Sequence, residues 1–135
     1  MSEIMMDRCR EYGPGSKKIK FTFFPNGTST TPMTVAAGTL VTDGGVVSVT
    51  RTATAGKFTC LLKDNYLKLL SKQVSVQLAA DTTDLTAQFG TIDLAASGGA
   101  TVIVRLLAAT TNTDMSADAN NSVSVTLEIQ DNART

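Results

Sequence analysis

The chain has no histidine and no tryptophan among its 135 residues. Without imidazole it lacks the commonest general base, the commonest zinc ligand, and the partner that activates serine or cysteine in a nucleophilic pair. Aromatic residues are scarce, five Phe and two Tyr, and a knob that grips glycans wants several of them exposed. The two cysteines stand in unlike surroundings, Cys9 in a polar head and Cys60 in an apolar strand. They share no metal-ligand spacing, a disulfide between them is not expected, and Cys60 reads as a small core residue. No apolar run approaches the length of a membrane span, and the N-terminus has no signal-peptide pattern, so membrane insertion and secretion are not expected. Net charge is zero, and the Lys17, Lys18, Lys20 cluster is too small for the basic face that a nucleic-acid partner requires.

What the chain does have is threonine, valine, alanine and leucine arranged with a period of two. The segment Ser122 to Gln130 alternates without error, four branched apolar residues against five polar ones, which is the signature of a strand with one dry and one wet face. At this length the chain fits one domain that buries roughly two-thirds of the surface its unfolded form exposes, so a core without metal or disulfide staples is feasible. Residues 1 to 18 show no sustained periodicity and contain the strand-breaking run Tyr12 to Ser16. They read as an extended arm, helical at most over Glu3 to Arg10, and residues 19 to 135 as a single β domain. Five basic and three acidic side chains fall within residues 1 to 20, leaving the head end mildly positive.

Along the domain, Ile19, Phe21 and Phe23 alternate with polar neighbours until Pro25-Asn26-Gly27 turns the chain. A weak, Gly38-interrupted segment over Thr34 to Val41 is followed by Val46 to Arg51, with Val47 and Val49 placed on one face. Lys57 to Lys63 puts Phe58, Cys60 and Leu62 on one side. Asp64 is placed to cap a single helical turn whose Tyr66, Leu67 and Leu70 fold toward the core. Val74, Val76 and Leu78 alternate next, and Leu85 to Leu94 carries Ala87 and Phe89 on one face before Gly90 permits a bulge. Thr101 to Leu107 is apolar on both sides except at Arg105, which suggests a strand covered twice, and Ala108 to Asn121 reads as a loop of small residues. The fold class expected is all-β, an antiparallel sandwich or jelly-roll-like barrel of about eight strands with one short helical connector.

Candidate chemistry is thin. Asp81 with Asp84, and Asp114 with Asp118, are close in sequence but lie in polar turns, where solvated aspartates are the rule. Asp114, Asp118, Asn120 and Asn121 are oxygen-rich, yet neither their spacing nor a closing glutamate matches a calcium loop. Gly13 to Lys18 lacks the preceding apolar strand of a phosphate cradle. Asn26-Gly27-Thr28 and Asn120-Asn121-Ser122 satisfy the glycosylation pattern but lack a secretory context. No catalytic residue, cofactor site or metal site is expected, and the chain does not read as an enzyme. Of the three phenylalanines in the first strand, only Phe24 is left over for an interface. Arg105, alone in an apolar strand, is expected to find a partner at an edge or interface.

Three stretches, Phe21 to Ser29, Gly56 to Tyr66 and Ala117 to Val125, together resemble a group of small tailed-bacteriophage proteins encoded near the major capsid protein, over about residues 19 to 130. The resemblance implies a capsid cement or decoration protein, a β-rich homo-oligomer on the outer face of the icosahedral head that bridges major capsid subunits. A symmetric dimer or trimer would match local symmetry axes of a shell, and a trimer is favoured over a dimer. The residues expected at capsid or oligomer contacts are Tyr12, Pro14, Lys17, Lys18, Phe24 and Arg105. The rival expectation is a head-fibre or tail-spike knob that binds a host surface glycan.

Overall fold

In a computed structural model, which describes residues 16–79 and 84–130, the alternating segments become nine strands and no helix: β1 (Ser16–Phe23), β2 (Leu40–Thr42), β3 (Val46–Arg51), β4 (Lys57–Leu62), β5 (Lys68–Gln77), β6 (Thr86–Asp93), β7 (Thr101–Ala108), β8 (Thr111–Asn112) and β9 (Ser122–Gln130). They form two antiparallel sheets, one ordered β2-β1-β9-β5 and the other β3-β4-β7-β6, with β8 also pairing to β7. The architecture is a β-sandwich.

The period-two pattern decides which side chains meet. Across the first sheet the rows Phe23–Val123–Val76, Phe21–Val125–Val74 and Ile19–Leu127 turn inward, and Ile19, Phe23, Val123 and Leu127 are wholly buried. Across the second, Val49–Cys60–Val102–Ile92 and Phe58–Val104–Phe89 turn inward to meet them. Phe23 and Phe58 touch across the gap with ring centroids 5.3 Å apart in a tilted pair, a geometry that the ring quadrupoles favour. Burial of each such side chain contributes about 1.5–3 kcal/mol.

Three local expectations are corrected. The helical turn over Asp64 to Leu70 is absent, because the backbone amides there go to other strands: Tyr66 N–H donates to Leu94 O and Leu67 N–H to Gln130 O, both at 2.9 Å. Tyr66 is buried as expected, but Leu67 and Leu70 are 47% and 49% exposed, Leu70 sitting where the β5–β9 register slips by one residue. A similar slip between Val46 and Ser48 puts Val46 and Val49 inside and leaves Val47 47% exposed, since a bulge flips the face of everything before it. Within the loop Ala108 to Asn121 a two-residue strand, β8, folds back on β7 through Ala109, whose φ of 57° is uncommon for a residue with a side chain.

The bulge expected at Gly90 is present, with the β6–β7 register shifting between Phe89 and Ile92. It lets Ile103 lean over the neighbouring strand, where a Cβ at Gly90 would come within 2.8 Å of Ile103 Cγ2. β5 and β6 close the open side of the sandwich without hydrogen bonding to each other, being the last strand of one sheet and of the other. On that side Lys72 lies in the inner row beside Leu127, and its Nζ sits 5.3 Å from the centre of the Phe89 ring. An inward-pointing charge on an edge strand keeps that edge from pairing with another chain.

Candidate functional site

The titratable groups of the described residues are tied into structure or spread over the surface. Asp114, read from sequence as a candidate acid or calcium ligand, is held by Arg51: its two carboxylate oxygens accept from Arg51 Nε and Nη2 at 2.8 Å each, and Oδ1 also accepts from the Gly56 amide at 2.7 Å. The Arg51 guanidinium beside it, helped by the Gly56 amide and opposed by burial, holds the Asp114 carboxyl below its usual value of 3.8. Asp118 accepts from the amide of Asn120 two residues on, an ordinary turn of aspartate side chains. Asn121 is buried, accepting from Ala79 N–H and donating to Ser116 O. Among the described residues no three Cys, Asp or Glu side chains converge on a point that would hold a metal ion. Asp81, the partner suggested for Asp84, lies outside the described residues, as do Cys9 and the proposed phosphate-cradle positions 13–15.

Arg51, Asp114 and Gly56 act together as a latch. Arg51 ends β3 on the inner row opposite Phe58, and the loop segment that carries Asp114 leaves β8 alongside β7, Thr113 N–H donating to Leu106 O at 2.9 Å. Gly56 stands at the junction with a φ of 65°, and a Cβ there would lie 2.5 Å from Thr113 O and 2.8 Å from Leu106 O. Sequence reading missed this group because Arg51 and Asp114 are 63 positions apart; the legible hint was an arginine ending an otherwise apolar-alternating strand. Cys60 is wholly buried, and that burial raises its thiol pKa, which leaves it protonated and unreactive.

The outward rows of the two sheets are the broad surfaces left. On the first sheet they read Ser16–Gln130–Lys68, Lys18–Glu128–Ser71, Lys20–Thr126–Gln73 and Thr22–Ser124–Ser75, with Val41 of β2 beside Thr22. Apart from 61%-exposed Val41, these positions carry hydroxyl, amide or charged side chains. Thr22 and Ser124 hydroxyls hydrogen bond at 2.9 Å, and a shallow hollow of about 350 Å³ lies over Gln73, Ser75, Ser124 and Thr126. On the second sheet the outward rows are Ser48–Leu61–Thr101–Asp93, Thr50–Thr59–Ile103 and Lys57–Arg105–Gln88, a mixture of threonine, aliphatic and charged groups.

The residues singled out from sequence are scattered over these surfaces. Lys17 and Lys18 are exposed in β1, Lys18 on the outer face and Lys17 in the inner row opposite Ile129. Arg105 stands on the outer face of the second sheet, where its Nη2 donates to Gln88 Oε1 at 3.1 Å while its Nε is sealed from solvent with no partner. Phe24 is half-buried at a hollow of about 200 Å³ shared with Pro32, Met33 and Thr39. These three sites are not one site. Tyr12 and Pro14 lie outside the described residues. A further hollow of about 280 Å³ is lined by Leu78, Leu85, Asp114, Asp118 and Asn121.

No protein-family model matches the chain, and no curated protein or solved structure matches it.

Proposed function

We propose that the protein is a capsid cement or decoration protein, which binds the outside of an icosahedral phage head and bridges major capsid subunits as a homo-oligomer, a trimer in preference to a dimer. Two things support the reading: the resemblance of residues 19 to 130 to small phage proteins of that kind, and a fold in which the polar side chains are laid out as broad flat rows. The observation that carries it is the outer face of the first sheet, with its rows of Ser, Thr and Gln on three long strands.

The mechanism is adhesion. Pressure from packaged DNA pulls neighbouring capsid subunits apart, and a protein bound across the seam must lose its contacts before the seam opens. Each contact contributes the surplus of buried area and hydrogen bonding over ordering cost, and many copies around a shell add up. The jelly-roll-like wrapping that the strand pattern admits belongs to this reading, with the first and last strands, β1 and β9, side by side. Of the arm read over residues 1 to 18, residues 16–18 belong to β1, where Ser16 opposes Gln130; the rest lies outside the described residues, and in this reading it adds contact area beyond the sheet.

The test is to add the purified chain to heads assembled without it and to heat or osmotically shock them. DNA release at a higher temperature, with the protein co-sedimenting at a fixed ratio to capsid subunits, is the expected result. Heads that neither bind the protein nor gain resistance contradict the proposal.

A further inference from the structure

We infer that the protein meets its partner through the outer face of its first sheet, and that the partner surface is acidic protein. The inference rests on the adhesive reading above and names the face and the chemistry it selects.

Three lysines stand on this face at one end. Lys18 and Lys20 project from β1 and Lys68 from the start of β5, flanking the single carboxylate of Glu128 in the middle strand. All three are exposed. Among the described residues none of them makes a side-chain hydrogen bond or ion pair; the one ion pair is Arg51–Asp114, at the other end of the sheets. Among the described residues the outer face of the second sheet has a smaller set, Lys57 and Arg105 side by side in one row with Arg105 tied to Gln88, and one carboxylate, Asp93, on another row.

Charge decides between occupants. A second copy docking face to face would bring lysines against lysines, a like-charge juxtaposition that suppresses a wrong partner. The area argues the same way: three strands of 8, 10 and 9 residues and the 3-residue β2, at about 3.3 Å per residue and about 4.8 Å apart, offer roughly 500 Å², below the roughly 800 Å² per partner of a standard stable interface. A contact that small holds when it is repeated around a shell or reinforced by charge, not as a free dimer. Nucleic acid fits less well, because three lysines are too few for the basic face that a phosphate backbone needs and the outward rows carry no aromatic ring for a base to stack on. Carboxylates on a protein surface fit the lysines, while the Ser, Thr and Gln rows donate and accept across the rest of the face.

The experiment compares the full chain with two double variants of equal net charge, Lys18→Glu with Lys20→Glu on the proposed face, and Lys57→Glu with Lys63→Glu elsewhere. Binding to purified heads is measured across a salt series, and retention on immobilised poly-L-glutamate and on duplex DNA is measured in parallel. The first variant is expected to lose on the order of tenfold or more in head affinity at low salt and the second less than twofold, the difference shrinking as salt screens the charges. Equal losses in the two variants on heads overturn the assignment of the face and leave the cement reading standing. If the unaltered chain does not bind heads, the cement reading fails, and poly-L-glutamate then decides: selective loss by the first variant supports the face, equal retention overturns it. Tighter retention on duplex DNA than on poly-L-glutamate overturns the choice of partner.

Discussion

Replacing Gly56 by alanine tests the latch that joins the second sheet to the loop segment carrying Asp114. The residue has a φ of 65°, and holding an L side chain in that left-handed region costs about 1–2 kcal/mol. The added methyl would also stand 2.5 Å from Thr113 O, 2.7 Å from Thr113 N and 2.8 Å from Leu106 O, all of them backbone atoms that cannot rotate away. Crowding of that kind costs typically a further 1–3 kcal/mol. The total expected is about 2–5 kcal/mol, a large part of the stability of an ordinary domain. Gly27→Ala is the control: its φ is 53° and nothing lies within 4 Å of the new methyl, so it carries the conformational cost alone. Urea unfolding followed by circular dichroism should place Gly56→Ala well below Gly27→Ala in midpoint at similar slope. Equal midpoints would show that Thr113 and Leu106 do not close on Gly56, and the latch would be wrong.

Asp114→Asn is expected to flatten the acid limb of the stability curve. The folded carboxyl titrates below its usual 3.8, so its contribution is complete above that value and is lost as pH falls through the folded pKa; wild type should therefore lose stability below about pH 4 more steeply than the variant in thermal melts, and parallel curves would contradict the pairing. Val125→Asp, at a position 1% exposed between Phe21 and Val74, places an unpaired charge in the core and should cost more than about 4 kcal/mol; a melt like that of wild type would mean the inner face of β9 is misassigned. Lys72→Val removes the inward charge that guards the β5 edge and should raise self-association in sedimentation velocity without lowering the melting temperature, whereas an unchanged monomer fraction would show that Lys72 guards nothing.

The strands were legible because alternation is a local property. In β9 each apolar residue from Val123 to Ile129 is buried, as a period of two requires, and Gly90 marked its bulge. Errors arose where local pattern and distant pairing compete. Asp64 with Tyr66, Leu67 and Leu70 has the spacing of a helical turn, but Gln130 and Leu94 offer carbonyls that hold the segment extended. Val46 and Val47 are equivalent on the page, and only pairing with Leu62 and Leu61 decides which one turns inward. The latch was invisible because its members meet through topology rather than spacing. Lys17, Lys18 and Lys20 cluster in the sequence, but Lys17 and Lys18 point to opposite faces, and Lys68 joins the patch only through the β5–β9 register.

The central claim, that an unreactive pleated slab works by adhering to identical capsid subunits, is tested most directly by cryo-electron reconstruction of heads with and without the protein. The account predicts added density outside the shell at every equivalent seam, fitted by the sandwich with Lys18, Lys20 and Lys68 turned toward the capsid. Density on a fibre tip, or heads that look the same with and without the protein, would contradict it.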